Sequence, residues 1–307
     1  MISTITLTSA NGDSVVVSAP DDDFFDADIV LDTEPQGMYD TGFTIRTSSG
    51  AFETGGRIVG ESVPIREPVL PFWLTPESRP RFQRLWGTPG NFHKVTCTWD
   101  GPDGPRSLTL KLAKEIRYTT EGGFDGAVEG TYHAVVSALA VNPMYEGVED
   151  VSEWTNPSVG QHTGWFEVWN PTDQPLWLEW SFDPADEWQF PDFGFDQERR
   201  WGRTVGEDAD RMIVSPEITQ ILSVVSDPFI DTYVSADLSS AAGLFNGVEP
   251  LYAVPPYTGS LSRPVMMPVV CDGPAGAKVT LRQRRFWSAE SGLDVGAAAD
   301  WIPVDES

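Results

Sequence analysis

Cysteine is nearly absent from this 307-residue chain, which holds only Cys97 and Cys271. Two distant thiols cannot build the multi-bridge framework that staples small secreted domains. Both are expected to be reduced and to sit in strands, after synthesis in a reducing cytoplasm. Histidine is almost as scarce. His93, His133 and His162 each stand without a Cys or His at metal-ligand spacing, and no His-Glu-x-x-His, Gly-x-Ser-x-Gly, phosphate loop or Cys-x-x-Cys occurs. No catalytic residue, cofactor or metal is therefore expected. Basic residues are few, 20 Lys+Arg against 46 Asp+Glu, for a formal net charge of −26. The excess is spread along the chain, with 11 basic and 22 acidic residues in 1–150 and 9 and 24 in 151–307. Such a chain is a poor sequence-tolerant DNA binder, because that affinity comes mostly from neutralising phosphates. It repels polyanions and stays soluble. No run of 18 apolar residues exists, so no membrane-spanning helix is expected. Residues 1–8 alternate like a strand and lack the basic and apolar regions of a signal peptide.

What is abundant is punctuation. With 25 Pro and 28 Gly, few stretches reach helix length, which favours a mainly β chain of many short strands. Strands are expected at 2–9 and 14–18 around the turn Asn11-Gly12-Asp13. Residues 19–28 read as a loop, and a strand follows near 29–31. The strand at 62–74 carries Pro64, Pro68 and Pro71, so it is expected at a sheet edge or a bulge. One helix is expected, at 78–86. Ser78 can cap it, Pro80 fits its first turn, and Gly87 and Pro89 stop it. Phe82, Leu85 and Trp86 form its apolar face. Strands follow at 93–99, 107–117 and 130–139. Residues 142–163 lose the apolar period and gather Asn142-Pro143, Gly147, Asn156-Pro157 and Gly160. The joint between two domains, 1–150 and 151–307, is placed there. Short strands near 212–214, 219–226, 229–234, 265–271 and 277–287, with a Pro-rich crossing at 254–259, make the second domain a β-sandwich or jelly roll.

Half of the 12 Trp lie at 154, 165, 169, 177, 180 and 188. On alternating strands Trp165 and Trp169 share a face, whereas Trp177 and Trp180 fall on opposite faces. Trp177, Trp180 and Trp188 are the candidate interface or sugar-stacking aromatics, against the competing reading of a packed core. Asp183, Asp186 and Glu187, beside Trp180 and Trp188, could imitate the paired carboxylates of a glycosidase. Glu207, Asp208 and Asp210, like Asp21, Asp22, Asp23 and Asp26, offer oxygen ligands but lack the Gly-placed loop of an EF-hand. Solvated loops are the expectation for all three sets.

The hairpin at 165–182 turns through Asn170-Pro171-Thr172-Asp173-Gln174-Pro175-Leu176-Trp177. That wording resembles the start of the C-terminal jelly-roll (galectin-like) domain of distal tail proteins in long-tailed phages, especially those infecting actinobacteria. Further C-terminal matches are Phe190-Pro191-Asp192, Val254-Pro255-Pro256-Tyr257-Thr258 and Arg285-Phe286-Trp287-Ser288. In the N-terminal half the matches are Gly56-Arg57, Val63-Pro64-Ile65-Arg66, Leu85-Trp86-Gly87 and Val141-Asn142-Pro143-Met144-Tyr145. They cover about residues 40–293 in order.

The resemblance implies an N-terminal β-rich belt domain with one short helix, followed by a galectin-like β-sandwich. It implies a non-enzymatic virion protein at the phage tail tip, made in the host cytoplasm. Six copies would form a hub ring between the tail tube protein and the tail-associated hub protein, with other minor tail proteins as further partners. Genomic DNA would pass without specific binding, and no membrane insertion is implied. Asp21, Asp22, Asp23 and Asp26 are the candidate lumen-facing acidic loop, against an outward solvated loop. Two rival functions are a carbohydrate-binding module that aids host adsorption and a glycosidase-like cell-wall enzyme. The lack of a coherent catalytic set weighs against the second.

Overall fold

Apolar residues at every second position drive the first strands. Thr4–Ser9 (β1) and Ser14–Ser18 (β2) turn Ile5, Leu7, Val15 and Val17 inward. Gly12, at φ 93°, closes the turn between them. The structure, a computed structural model, describes residues 4–292 other than 20–25, 27, 40, 53, 121 and 123. The chain divides into two compact units. One is Met1–Gly147 with a return segment that starts at Trp287, and the other is Val148–Phe286.

The first unit continues with Ile29–Leu31 (β3), Thr44–Ser48 (β4), Arg57–Ser62 (β5), Val69–Leu74 (β6), helix Arg79–Trp86 (α1), Gly87–Thr88 (β7) and Asn91–Phe92 (β8). Val95–Gly101 (β9), Gly104–Leu112 (β10), Arg117–Thr119 (β11), the one-turn helix Gly126–Glu129 (α2), Tyr132–Leu139 (β12) and Tyr145–Glu146 (β13) complete it. The main sheet runs β2-β1-β9-β10-β12-β6-β3, with β11 on β12 and β13 on β10. It curls until its end strands β2 and β3 lie close to each other. Phe72, Trp99 and Tyr145 fill the interior, and α1 adds Phe82, Leu85 and Trp86 to the same core. The Phe72 and Phe82 rings sit 5.0 Å apart.

Three expectations change here. Ser78 stands at the N-cap of α1, but its side chain makes no capping bond; its Oγ donates instead to the Asp28 carbonyl at 2.7 Å, which ties the helix start to the residue before β3. The stretch 62–74 is not one strand, and β6 is not an edge, because β12 and β3 flank it. Pro71 is tolerated because its carbonyl accepts from Asp32 N at 2.9 Å. The N and C=O of one strand residue point the same way, so the missing donor faces only the end of short β3. The second helix, α2, was not foreseen. Asp125 caps it by accepting from Ala127 N at 2.8 Å, and Gly126 leaves space for the Tyr132 ring, which would lie 2.4 Å from a Cβ.

The second unit holds Asp150–Thr155 (β14), Gly160–Val168 (β15), Leu178–Phe182 (β16), Glu187–Pro191 (β17), Met212–Val214 (β18), Leu222–Val225 (β19), Tyr233–Ser235 (β20), Val265–Gly273 (β21) and Lys278–Gln283 (β22). Two antiparallel sheets, β14-β22-β16-β19-β20 and β15-β21-β17-β18, share one core. Phe182 is its aromatic centre, 5.3 Å from the Trp188 ring and 5.1 Å from Phe190. Such face-to-face antiparallel sheets form a β-sandwich. Strands β13, β14 and the start of β15 lie within 142–163, and the division between the two units, after Gly147, falls in the same stretch. Exposed and half-buried residues alternate along β14, a weak apolar signal. Its Trp154 nonetheless packs on Trp188 at 6.3 Å, above a Gly164 with no Cβ to obstruct it.

Candidate functional site

The motif residues turn out to be buried polar ties. In the first unit, Arg66 is buried. It donates to the carbonyls of Met38 (2.6 Å) and Ser288 (2.9 Å) and to Thr41 Oγ1, with its guanidinium 4.8 Å from the Tyr145 ring centre. Tyr145 donates to the same Met38 carbonyl at 2.5 Å. Burial pushes its hydroxyl far above the usual tyrosine range, and Arg66 offsets only part of that. Arg106 lies 4.4 Å over the Trp287 ring and donates to the Ala289 carbonyl at 3.2 Å. The return segment is thus clamped by two arginines.

In the second unit, two Asn-Pro turns flank β15 and are built alike. Asn170 Nδ2 donates to the carbonyls of Gln174 (2.8 Å), Val254 (3.1 Å) and Pro255 (3.0 Å). Asn156 Nδ2 donates to those of Gly160 (3.2 Å), Gly273 (3.3 Å) and Pro274 (3.3 Å). Each amide ties its own turn to a distant chain crossing. Asp192 accepts from Leu251 N (2.9 Å), Tyr252 N (3.1 Å) and Arg211. Asp208, expected in a solvated loop, is instead buried. It accepts from Arg203 at 2.7 and 2.9 Å and from the Tyr252 hydroxyl at 2.5 Å. Burial first, then Asp208, pushes that hydroxyl up to about 12. No local signal could reveal this, because Tyr252 comes from the far end of the unit.

The candidate aromatics separate. Trp180 is 2% exposed and Trp188 0%, so both belong to the sandwich core and neither can stack a sugar or meet a partner. Their inward side chains pack against both sheets, which one strand's alternation could not show. Trp177 is half-buried at the rim of a cleft with Trp201. Asp183 serves the backbone, accepting from Lys278 N at 3.1 Å, while Glu187 takes Gln189 Nε2 at 2.8 Å and Asp186 is exposed. The three histidines have separate partners: Ser9 for His93, Asp32 for His133 and Ser158 for His162. Among the described residues, no group of three or more His, Cys, Asp or Glu could hold a metal ion. Asp21, Asp22 and Asp23 lie outside the described residues. Asp26 pairs with Arg81 of α1 at 2.5 Å, so its charge is met locally.

A surface that the sequence reading did not single out is the β4–β5 hairpin. It is a sheet of two strands only, paired from Thr44↔Ser62 to Ser48↔Arg57 with an irregularity after Arg46. Every residue of β4 is exposed. Phe43 and Ile58 are each 70% exposed, Ile45, Val59, Val63 and Ile65 are exposed beside them, and Phe52 near the tip is fully so. A lone two-stranded hairpin is marginal in water. An apolar patch of this kind marks an interaction surface, and its free edges can accept another strand.

No protein-family model and no curated protein matches the sequence. Solved structures do. The Dit protein of phage SPP1, a paradigm of the hub adsorption apparatus in phages infecting Gram-positive hosts, matches with a TM-score of 0.54 at 11% identity, over 92% of this chain and 98% of that one. The phage P2 baseplate in its activated conformation, with Ca or with Sr, matches with a TM-score of 0.44 at 11% and 10% identity, over 96% of this chain and 100% of those. At such identity the SPP1 likeness is one of architecture, and it extends through both β-rich units: this chain has a distal-tail-protein (Dit-like) fold.

Proposed function

We propose that this chain is a non-enzymatic structural hub of a phage tail. Six copies close into a ring at the distal end of the tail in the virion, after synthesis in the host cytoplasm. The first unit supplies the ring contacts, in the region expected as domain 1–150. The second unit, the galectin-like sandwich expected as 151–307, carries other minor tail proteins. Tail tube protein binds one face of the ring and the tail-associated hub protein the other. The observation that carries this reading is the β4–β5 hairpin, an apolar arm exposed on a chain with the fold of a hub protein. Laid on the next copy, it makes a heterologous contact, and a heterologous contact closes into a ring when its rotation permits.

The net charge of −26 suits a conduit that DNA crosses without binding. Carboxylates act on the phosphates only within about 8 Å at physiological salt. Because Asp26 is paired with Arg81, repulsion at the lumen would rest on Asp21, Asp22 and Asp23. No helix among the described residues is long and apolar enough to cross a membrane. Light scattering and negative-stain imaging of the purified full chain test the ring. A closed six-fold particle is expected, and a monomer at every concentration would overturn the proposal.

A further inference from the structure

We propose that Asn246-Gly247 in the second unit is a self-modifying site, where the chain converts its own asparagine to isoaspartate with water as the only co-reactant. The backbone nitrogen of Gly247 attacks Asn246 Cγ and forms a new C–N bond. The side-chain amide leaves as ammonia, taking the hydrogen that the Gly247 nitrogen loses. Water then opens the cyclic succinimide at either carbonyl. Opening at one gives aspartate. Opening at the other gives isoaspartate, in which the main chain runs through Cβ.

The chain has six asparagines, and their neighbours leave two of them open to this step. Asn142, Asn156 and Asn170 precede proline, whose nitrogen has no hydrogen to lose. Asn91 precedes Phe92, whose side chain crowds the attacking nitrogen. Asn11 and Asn246 precede glycine, which leaves it uncrowded. The structure separates these two. Gly12 N donates to the Ser9 carbonyl at 2.9 Å and is held away from the Asn11 side chain. Asn11 Oδ1 accepts from Asp13 N at 2.9 Å, and its Nδ2 donates to Asp13 Oδ2 at 3.1 Å. Attack at Asn11 therefore breaks an ordered turn. Asn246 stands at φ 52° just past the short helical turn Ala242–Phe245, in the left-handed conformation that asparagine visits at little cost. Among the described residues, neither its side chain nor the Gly247 N–H has a hydrogen-bond partner. Both residues are exposed, and nothing lies within 4 Å of the point where a Gly247 Cβ would stand. The peptide between them swings onto Cγ with no bond of its own to break.

The change reaches the core. Val248 N donates to the Phe245 carbonyl at 2.9 Å and closes this turn. The Val248 carbonyl accepts from the Tyr233 hydroxyl at 2.8 Å, and the Tyr233 ring stacks on Phe245 at 3.8 Å. Isoaspartate adds a main-chain atom and a negative charge between Phe245 and Val248, so the closing bond and the tie to Tyr233 loosen. The conversion runs one way and needs no enzyme, so it records the age of the chain. It is independent of ring closure, since the arm lies in the first unit.

The test ages the full chain at pH 8 and 37 °C, folded and in urea. Peptide mapping by mass spectrometry follows both Asn-Gly steps, with a methyltransferase specific for isoaspartyl residues as a second readout. In the folded chain Asn246 is expected to convert about tenfold or more faster than Asn11, and in urea the two rates should agree within about threefold. In heavy-oxygen water the product should carry one solvent oxygen. Asn246→Gly, which keeps the left-handed turn, should lose the isoaspartyl signal from that peptide. The proposal is overturned if Asn11 converts as fast as Asn246 in the folded chain. It is overturned equally if Asn246 resists there while converting in urea, or if aspartate forms without isoaspartate, the mark of direct amide hydrolysis.

Discussion

Asn170→Ala removes an amide that is 0% exposed. The wild-type side chain makes three donations to carbonyls and accepts from Thr172 Oγ1 at 2.8 Å and Thr172 N at 3.1 Å. Its two N–H groups serve three acceptors, so one bond is shared and each is weaker than a single bond. Thr172 Oγ1 can still donate to the Gln174 carbonyl at 2.9 Å after the change. Counting about 1 kcal/mol for each net bond lost, with some desolvated carbonyls left behind, gives a cost of about 3–4 kcal/mol. Asn170→Asp is the sharper perturbation. It keeps the oxygen facing Thr172 but sets a second oxygen against three carbonyls. Burial and those carbonyls oppose its charge, so its folded pKa lies above the unfolded value. The penalty is fully present above the folded pKa and is relieved as pH falls towards the unfolded value, about 3.9. Urea unfolding of the full chain, followed by near-ultraviolet circular dichroism and tryptophan fluorescence at pH 7 and pH 5, reads both effects. The expected order at pH 7 is wild type, then Ala, then Asp, with the last gap narrowing at pH 5. An alanine variant within about 1 kcal/mol of wild type, or an aspartate variant as stable as alanine at pH 7, would refute the reasoning.

Three more outcomes are expected. Phe43→Ser with Ile58→Ser should leave the melting of the separated chain unchanged, because both are exposed. The pair should weaken ring association about a hundredfold or more, since each such side chain contributes about 1.5–3 kcal/mol when buried; an unaltered dissociation concentration in light scattering counts against the arm. At Asp32 burial raises the pKa, but the Thr33 N–H, Trp73 and His133 together hold the carboxyl below its ordinary value. Its stabilisation is therefore present above the unfolded pKa and lost as pH falls through the folded one; His133→Gln should raise the Asp32 midpoint in an NMR titration, and an unmoved midpoint refutes the pairing. Burial pushes the Cys97 thiol far above its usual range and Cys271 to about 11, so a thiol reagent at pH 8 should label neither cysteine before denaturant is added and both afterwards, and rapid native labelling would contradict the burial.

Much of the architecture was legible in the chain because it is local chemistry. Asn11-Gly12 announces the first hairpin through a turn that needs φ above zero. Pro80 and Gly87 bracket α1 because helix ends lack backbone partners. Alternation along 165–169 and 265–271 reveals strands with one buried face. The buried turn of Asn170 was visible as a turn, and the wording around it pointed to the fold that the whole chain shows. The limits are equally specific. Alternation tells that Trp177 and Trp180 oppose each other, but which of them is inward depends on the sheet packed above. Asp208 looks solvated until Tyr252 arrives from 44 residues away to donate to it. Three prolines made 62–74 read as an edge or a bulge, yet β6 lies inside because short β3 adds beyond it. The exposure of Phe43 and Ile58 and the return of Trp287 to the first unit are likewise tertiary facts. Turns, caps and strand period come from each residue's own backbone and near neighbours, whereas burial, edge status and the pairing of buried charges depend on side chains that only the folded chain brings together.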